Sequence, residues 1–118
     1  MKDEIEKYIN ENYDILQEHP WEKYPEDTTF KHKNNKKWFA LVMIVPYEKL
    51  HIEKEGSVYV INLKNIPDML GGLLQTEGIL PAYHMNKEHW ISVLLDGTVS
   101  KEKICDLIDI SYDLTIKK

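Results

Sequence analysis

Four lysines fall within seven residues, at Lys31, Lys33, Lys36 and Lys37, with Phe30, His32 and Trp38 among and beside them. Ammonium groups at that density can track phosphates, and an adjacent indole can stack a base. Each phosphate contact would release counterions, so binding would weaken with salt. The plainer reading is a solvated hairpin tip, where charge keeps a sheet edge soluble. Strand alternation places Lys37 and Trp38 on opposite faces and assigns the indole to the core.

The remaining reactive residues carry less. His84 and His89 are five apart and lack the spacing of a zinc-binding helix, and no cysteine pair accompanies them. Cys105, the one cysteine, lies beside the core face of a helix and reads as a small hydrophobe. Gly71-Gly72 lacks the lysine and serine of a phosphate loop. No nucleophile–base arrangement, metal ligand set or cofactor motif is named.

Composition narrows the classes. The chain has 118 residues, which is one domain's worth, 1–118. The formal net charge is −5, which argues against a general nucleic-acid coat. Charge is uneven, however. Residues 1–27 hold nine acids and three lysines, residues 28–64 seven lysines and three acids, and residues 65–118 eight acids and five lysines. A basic island thus sits in an acidic chain. All fifteen basic residues are lysine, and arginine is the usual bidentate reader of guanine. The longest apolar run, Trp38 to Pro46, is the length of a buried strand and far too short for a membrane span. The N-terminus is acidic and amphipathic, unlike a signal or transit peptide. With a lone cysteine, this points to the cytoplasm.

These residues need elements to position them. Ile5, Tyr8, Ile9, Asn12 and Leu16 recur at helical spacing, so residues 3–18 read as a helix. Asp3 and Glu6 resemble a capping box, and His19-Pro20 stops the helix. Residues 28–33 read as a strand, Asn34-Asn35 as a turn, and 37–45 as a central strand apolar on both faces. Residues 47–56 read as a loop or an extended hairpin, and 57–63 as a strand. Pro67 and Gly78 bracket a short helix over 67–76. Residues 79–84 read as an edge strand or extended segment because of Pro81. Residues 89–95 are a strand, and Ser100 caps a last helix over 101–113. Its apolar face is Ile104, Leu107, Ile108, Ser111 and Leu114. The order α-β-β-β-α-β-β-α predicts an α+β two-layer sandwich with an antiparallel sheet of about five strands.

The segments HPWEKYPEDTTFKHKNNKKWFALV (19–42), VINLKNIPD (60–68), GILPAYHMNKEHWISVLLDG (78–97) and ISYDL (110–114) resemble the MmcQ/YjbR family. YHMNKEHW (83–90) followed by Ser111-Tyr112 is the most specific part. The resemblance implies a fold similar to CyaY, the bacterial frataxin, and to type III secretion chaperones. It also implies nucleic-acid association, since members are often labelled DNA-binding. Residues 46–56 look longer than the family pattern.

The resemblance directs attention to Lys64, Tyr83, His84, Asn86, Lys87 and Trp90, with Ser111 and Tyr112. Two ammonium groups, an amide, a phenol and an indole suit a small polar or anionic ligand. The plainer reading is a turn at Asn86-Lys87 with Trp90 in the core and Tyr112 presenting a polar tip. In a frataxin-like fold, Glu4, Glu11, Asp14, Glu18 and Glu22 would offer oxygen ligands to a hard cation, but an exposed helix face is normally charged. Three functions stay open. The first is a nucleic-acid-associated module at the 31–38 lysines. The second is a protein-interaction or chaperone-like module, as a monomer or weak dimer. The third is a ligand binder at the Lys64–Trp90 cluster.

Overall fold

The computed structural model describes residues 1–116. Its elements are α1 (Lys2–Asn12), β1 (Ile15–Glu18), β2 (Thr28–His32), β3 (Trp38–Pro46), a 3-10 turn (Tyr47–Leu50), β4 (Ser57–Lys64), α2 (Pro67–Leu73), β5 (Ile79–Pro81), β6 (Trp90–Leu94) and α3 (Lys101–Thr115). Six strands form one antiparallel sheet in the order β1-β2-β3-β4-β6-β5. The doubly apolar 38–46 run lies inside the sheet, where residues 39–43 and Val45 are buried.

α1 and α3 cover one face. Ile5 and Ile9 of α1 and Ile104, Leu107 and Ile108 of α3 join Phe39, Val42, Ile61, Leu63, Ile91 and Val93 in the main core. Burying apolar surface drives this packing. Ser100 caps α3 by accepting from the Lys103 N–H at 3.2 Å. Ser111 Oγ accepts from Lys64 N–H at 2.9 Å and donates to the Phe39 carbonyl at 2.5 Å, which pins α3 to β3 and β4. The opposite face carries a second cluster, Leu41, Met43, Val45, Val58, Val60 and Leu94, roofed by loops rather than helices.

The structure corrects several expectations. The first helix ends at Asn12, not at 18, and Ile15–Glu18 becomes an edge strand paired with β2. Asn10 and Asn12 turn their amides back onto the Glu6 and Tyr8 carbonyls, and Asn10 also reaches Gln17. Such side chains offer the backbone an alternative to helix. Tyr13 is already extended, with its ring stacked on Tyr112 at 4.1 Å. The sheet therefore has six strands. No capping box forms, because Met1 stands at the N-cap without a side-chain bond. In the turn after β2, Lys36 takes the left-handed conformation (φ 61°) and the asparagines hold the turn with their side chains. β5 is an edge strand of three residues, shorter than 79–84.

One irregularity decides the placement of Trp38. Phe30 pairs with Ala40 and Lys31 with Trp38, so Phe39 is an extra residue on β3. This bulge turns Phe39 and Ala40 into the helix-side core and sends Trp38 to the loop-covered face. Trp38 is half-buried there against Trp21.

Candidate functional site

The loop-covered face is not completely roofed. A groove of about 640 Å³ runs along β3, floored by Leu41 and Met43. Trp21, Tyr24 and Asp27 of one loop segment and Tyr83, His84 and Met85 of another wall it. Its size suits a small ligand.

The first wall follows from local backbone chemistry. Tyr24 N–H donates to the Trp21 carbonyl at 3.2 Å, and Asp27 N–H to the Tyr24 carbonyl at 3.1 Å. Two successive four-residue turns share Tyr24, and Trp21, Tyr24 and Asp27 at their corners all line the groove. Pro25, at the second position of the second turn, pre-sets its φ. Trp21 meets Trp38 edge to face, with centroids 5.9 Å apart and planes at 87°. The Tyr24 ring is 55% exposed, whereas Asp27 is 8% exposed. Burial pushes the Asp27 carboxyl above its ordinary range, partly offset by a hydrogen bond from the Ile44 backbone N–H, while the charge of Glu26 raises it further.

The second wall is held by two buried polar residues. Tyr83 N–H donates to Ser92 Oγ at 2.8 Å, and Asn62 Nδ2 donates to the Tyr83 carbonyl at 3.0 Å. Ser92 Oγ in turn donates to Asn62 Oδ1 at 2.5 Å. His84 then takes a left-handed conformation (φ 59°), and its ring stacks on Tyr83 at 4.0 Å. Asn86 closes the following turn, accepting from Glu88 N–H through Oδ1 at 2.7 Å and from Trp90 N–H through its carbonyl at 3.0 Å.

The candidate ligand cluster is therefore divided. Tyr83 and His84 line the groove. Asn86 shapes a turn, and Lys87 is exposed on it. Lys64 and Trp90 are partners at the end of the β4–β6 ladder. Tyr112 lies on the other side of the sheet, packed with Tyr13, His32 and Phe39. Ser111 is the buried pin of α3.

The lysine cluster is largely engaged within the chain. Lys31 pairs with Glu18 at 2.8 Å and Lys33 with Asp14 at 2.6 Å. Lys36 Nζ donates to the Lys33 carbonyl at 2.9 Å. Lys37 is exposed, and its charge helps hold His32 below the ordinary histidine range, second to burial. The acidic stripe does not survive as a helix face, since Asp14 and Glu18 lie beyond α1. Among the described residues, no group of three or more histidine, cysteine or acidic side chains is placed to hold a metal ion. Burial pushes the Cys105 thiol up, which keeps it protonated.

Trp21, Tyr24, Asp27, Asn62 and Ser92 were not singled out as site residues from the sequence. Their available signal was the three-residue recurrence Trp21-Tyr24-Asp27 around Pro25, and polar side chains inside two otherwise apolar strands.

Fold and groove together define a class: an α+β domain with helices on one sheet face and a loop-walled groove on the other. The chain belongs to the YjbR family, whose model matches residues 10–114. It is 42% identical over 114 residues to the uncharacterized protein YyaQ of Bacillus subtilis, covering 97% of each chain. The crystal structure of a Pseudomonas syringae protein superposes with a TM-score of 0.94 at 45% identity, over 98% of each chain. A Deinococcus radiodurans protein matches with a TM-score of 0.76 at 29% identity, over all of this chain and 80% of its own. Among the described residues no helix is long and apolar enough to cross a membrane.

Proposed function

We propose that this protein is a binding module whose ligand is a small molecule with a flat or apolar body, held in the groove along β3. The observation that carries this reading is the groove itself. Its two walls are built by separate devices, the paired turns of 21–27 and the Asn62–Ser92 clasp, and both bring aromatic rings to an apolar floor. Aromatic rings supply large contact area with little conformational freedom to lose. The test is a nuclear magnetic resonance titration with a panel of single-ring aromatic compounds of neutral, positive and negative charge. Binding should shift the Trp21 and Trp38 indole N–H signals and the Tyr83 amide, and leave the amides of α3 in place. A panel with no member acting at the groove would overturn the reading.

Nucleic-acid association is a second reading, supported by the basic island at residues 28–64. A phosphate would have to compete with Glu18 for Lys31 and with Asp14 for Lys33. Fluorescence anisotropy with labelled single- and double-stranded DNA tests it. Salt-sensitive binding lost on changing Lys31, Lys33, Lys36 and Lys37 to alanine would support it. No binding at low salt, where charge is least screened, would remove it.

A further inference from the structure

We infer that the groove selects a free organic amine, its ammonium group seated between the aromatic faces and the Asp27 carboxylate. The inference rests on the binding reading above and names the ligand's chemical class.

Three observations support the cation. The first is the number of aromatic rings. Trp21, Tyr24, Trp38 and Tyr83 all line one groove, and the face of an aromatic ring is its negative pole. A cation within about 6 Å of such a face is attracted, most strongly where water is excluded. The protein already shows the contact at this wall, where Lys23 Nζ lies 5.9 Å from the centre of the Tyr24 ring.

The second is Asp27. It lines the groove and is 8% exposed, yet among the described residues it has no ion-pair partner. Its hydrogen-bond donor is the Ile44 backbone N–H, and the charge acting on it is another carboxylate, Glu26. A buried carboxylate is ordinarily paired, because its desolvation is costly. A ligand ammonium supplies the missing partner.

The third is the local charge balance. Segment 22–27 holds Glu22, Glu26 and Asp27 against Lys23 alone. Of that segment's charges Asp27 alone lines the groove, and the basic groups that line it, Lys49 and His84, are both solvent-exposed. Neither is among the charges that act on Asp27. An anionic ligand would therefore meet the buried carboxylate and the ring faces, both unfavourable to it.

The volume suits a free small amine rather than a folded partner. The aromatic rings take its apolar body, and the carboxylate orients its charged end.

The test compares three single-ring probes of similar size on the full chain at neutral pH: phenethylamine, phenethyl alcohol and phenylacetate. Each is titrated into the protein while the Trp21 and Trp38 indole signals are followed. The amine should bind about tenfold more tightly than the alcohol, as expected for a desolvated cation–π contact plus one ion pair, and the carboxylate more weakly than either. Asp27→Asn should bring the amine down to the level of the alcohol. Equal binding of all three, or preference for the carboxylate, would overturn the amine assignment while leaving the groove a binding site. Failure of all three to act at the groove would instead remove the binding reading itself. A lysine-containing hexapeptide that outcompetes phenethylamine would overturn the free-amine assignment in favour of a peptide. If Asp27→Asn does not fold, the ranking on the unaltered protein decides alone.

Discussion

Asn62 and Ser92 face each other as register partners across β4 and β6, and each also bonds the backbone of Tyr83. Both side chains are 0% exposed. The sheet interior thus holds the groove's second wall through three linked hydrogen bonds. Ser92→Ala removes one donor and one acceptor and leaves Tyr83 N–H without its partner. The expected loss is about 2–3 kcal/mol, the cost of stranding buried polar groups. Urea unfolding measures the loss. Hydrogen exchange at Tyr83 should accelerate in the variant more than exchange along β3. A uniform acceleration would show that Ser92 serves the sheet alone.

His32 makes stability depend on pH. It is 1% exposed and packs against Phe39 and Tyr112. The Thr115 hydroxyl donates to the Ser111 carbonyl at 2.8 Å, so it accepts from His32 Nε2–H at 2.7 Å. Nδ1 is left buried without a partner among the described residues. Burial first, and the Lys37 charge second, hold His32 below its ordinary value of 6.5. The neutral form is therefore the one that the fold accepts. The stabilisation is complete above the unfolded value and is lost as pH falls through it toward the lowered folded value. Urea midpoints should drop between pH 7 and pH 5. His32→Gln, which keeps a donor toward Thr115, should flatten that dependence. An equal drop in both proteins would assign the effect to other groups.

Ser111 offers a sharper test of the helix-side core. Its hydroxyl serves Lys64 N–H and the Phe39 carbonyl at once, at the bulge of β3. Ser111→Ala strands both and should cost about 2–3 kcal/mol. Because the bulge places Trp38 in the groove, the Trp38 indole signal should also move. A shift in stability with Trp38 unmoved would separate the pin from the groove.

Much of the architecture was legible because local chemistry and tertiary packing agree. Ser100 as a cap, Pro67 at the start of α2, Pro81 at a sheet edge and the doubly apolar 38–46 run all predict what forms, whereas α2 ends at Leu73 rather than at 76 and Gly78 serves the turn before β5. Two errors share one cause. Residues 13–18 satisfy a helical period but gain more from pairing with β2, a partner that a one-dimensional pattern does not contain. Trp38 is moved by a bulge, which inserts one residue and breaks the period of two. The divided ligand cluster arises in the same way. Tyr83 and Tyr112 were grouped by resemblance, yet the sheet stands between them. The groove was hidden because its walls are loops, set by turns and by two buried polar residues rather than by periodicity.

The glycines give predictions of opposite sign within a few residues. Gly78 has φ +90°, a conformation that L side chains rarely adopt. A Cβ there would lie 2.7 Å from Val99 Cγ2 and 2.9 Å from Thr98 Cγ2. Val99 belongs to the main core, so it has little room to give way. Gly78→Ala should therefore cost about 2 kcal/mol or more, through backbone strain and the clash together. Gly71 sits in α2 with nothing within 4 Å of an added Cβ. Alanine there loses less backbone entropy on folding and should stabilise by about 0.5–1 kcal/mol. Chemical denaturation of the two variants beside the parent measures both. If Gly71→Ala destabilised the protein, the exposed face of α2, with Met69 on it, would need the freedom that glycine provides. If Gly78→Ala were neutral, the turn before β5 would have an alternative path, and the Gly78 carbonyl would no longer be held as the acceptor for Leu94 N–H at 2.9 Å.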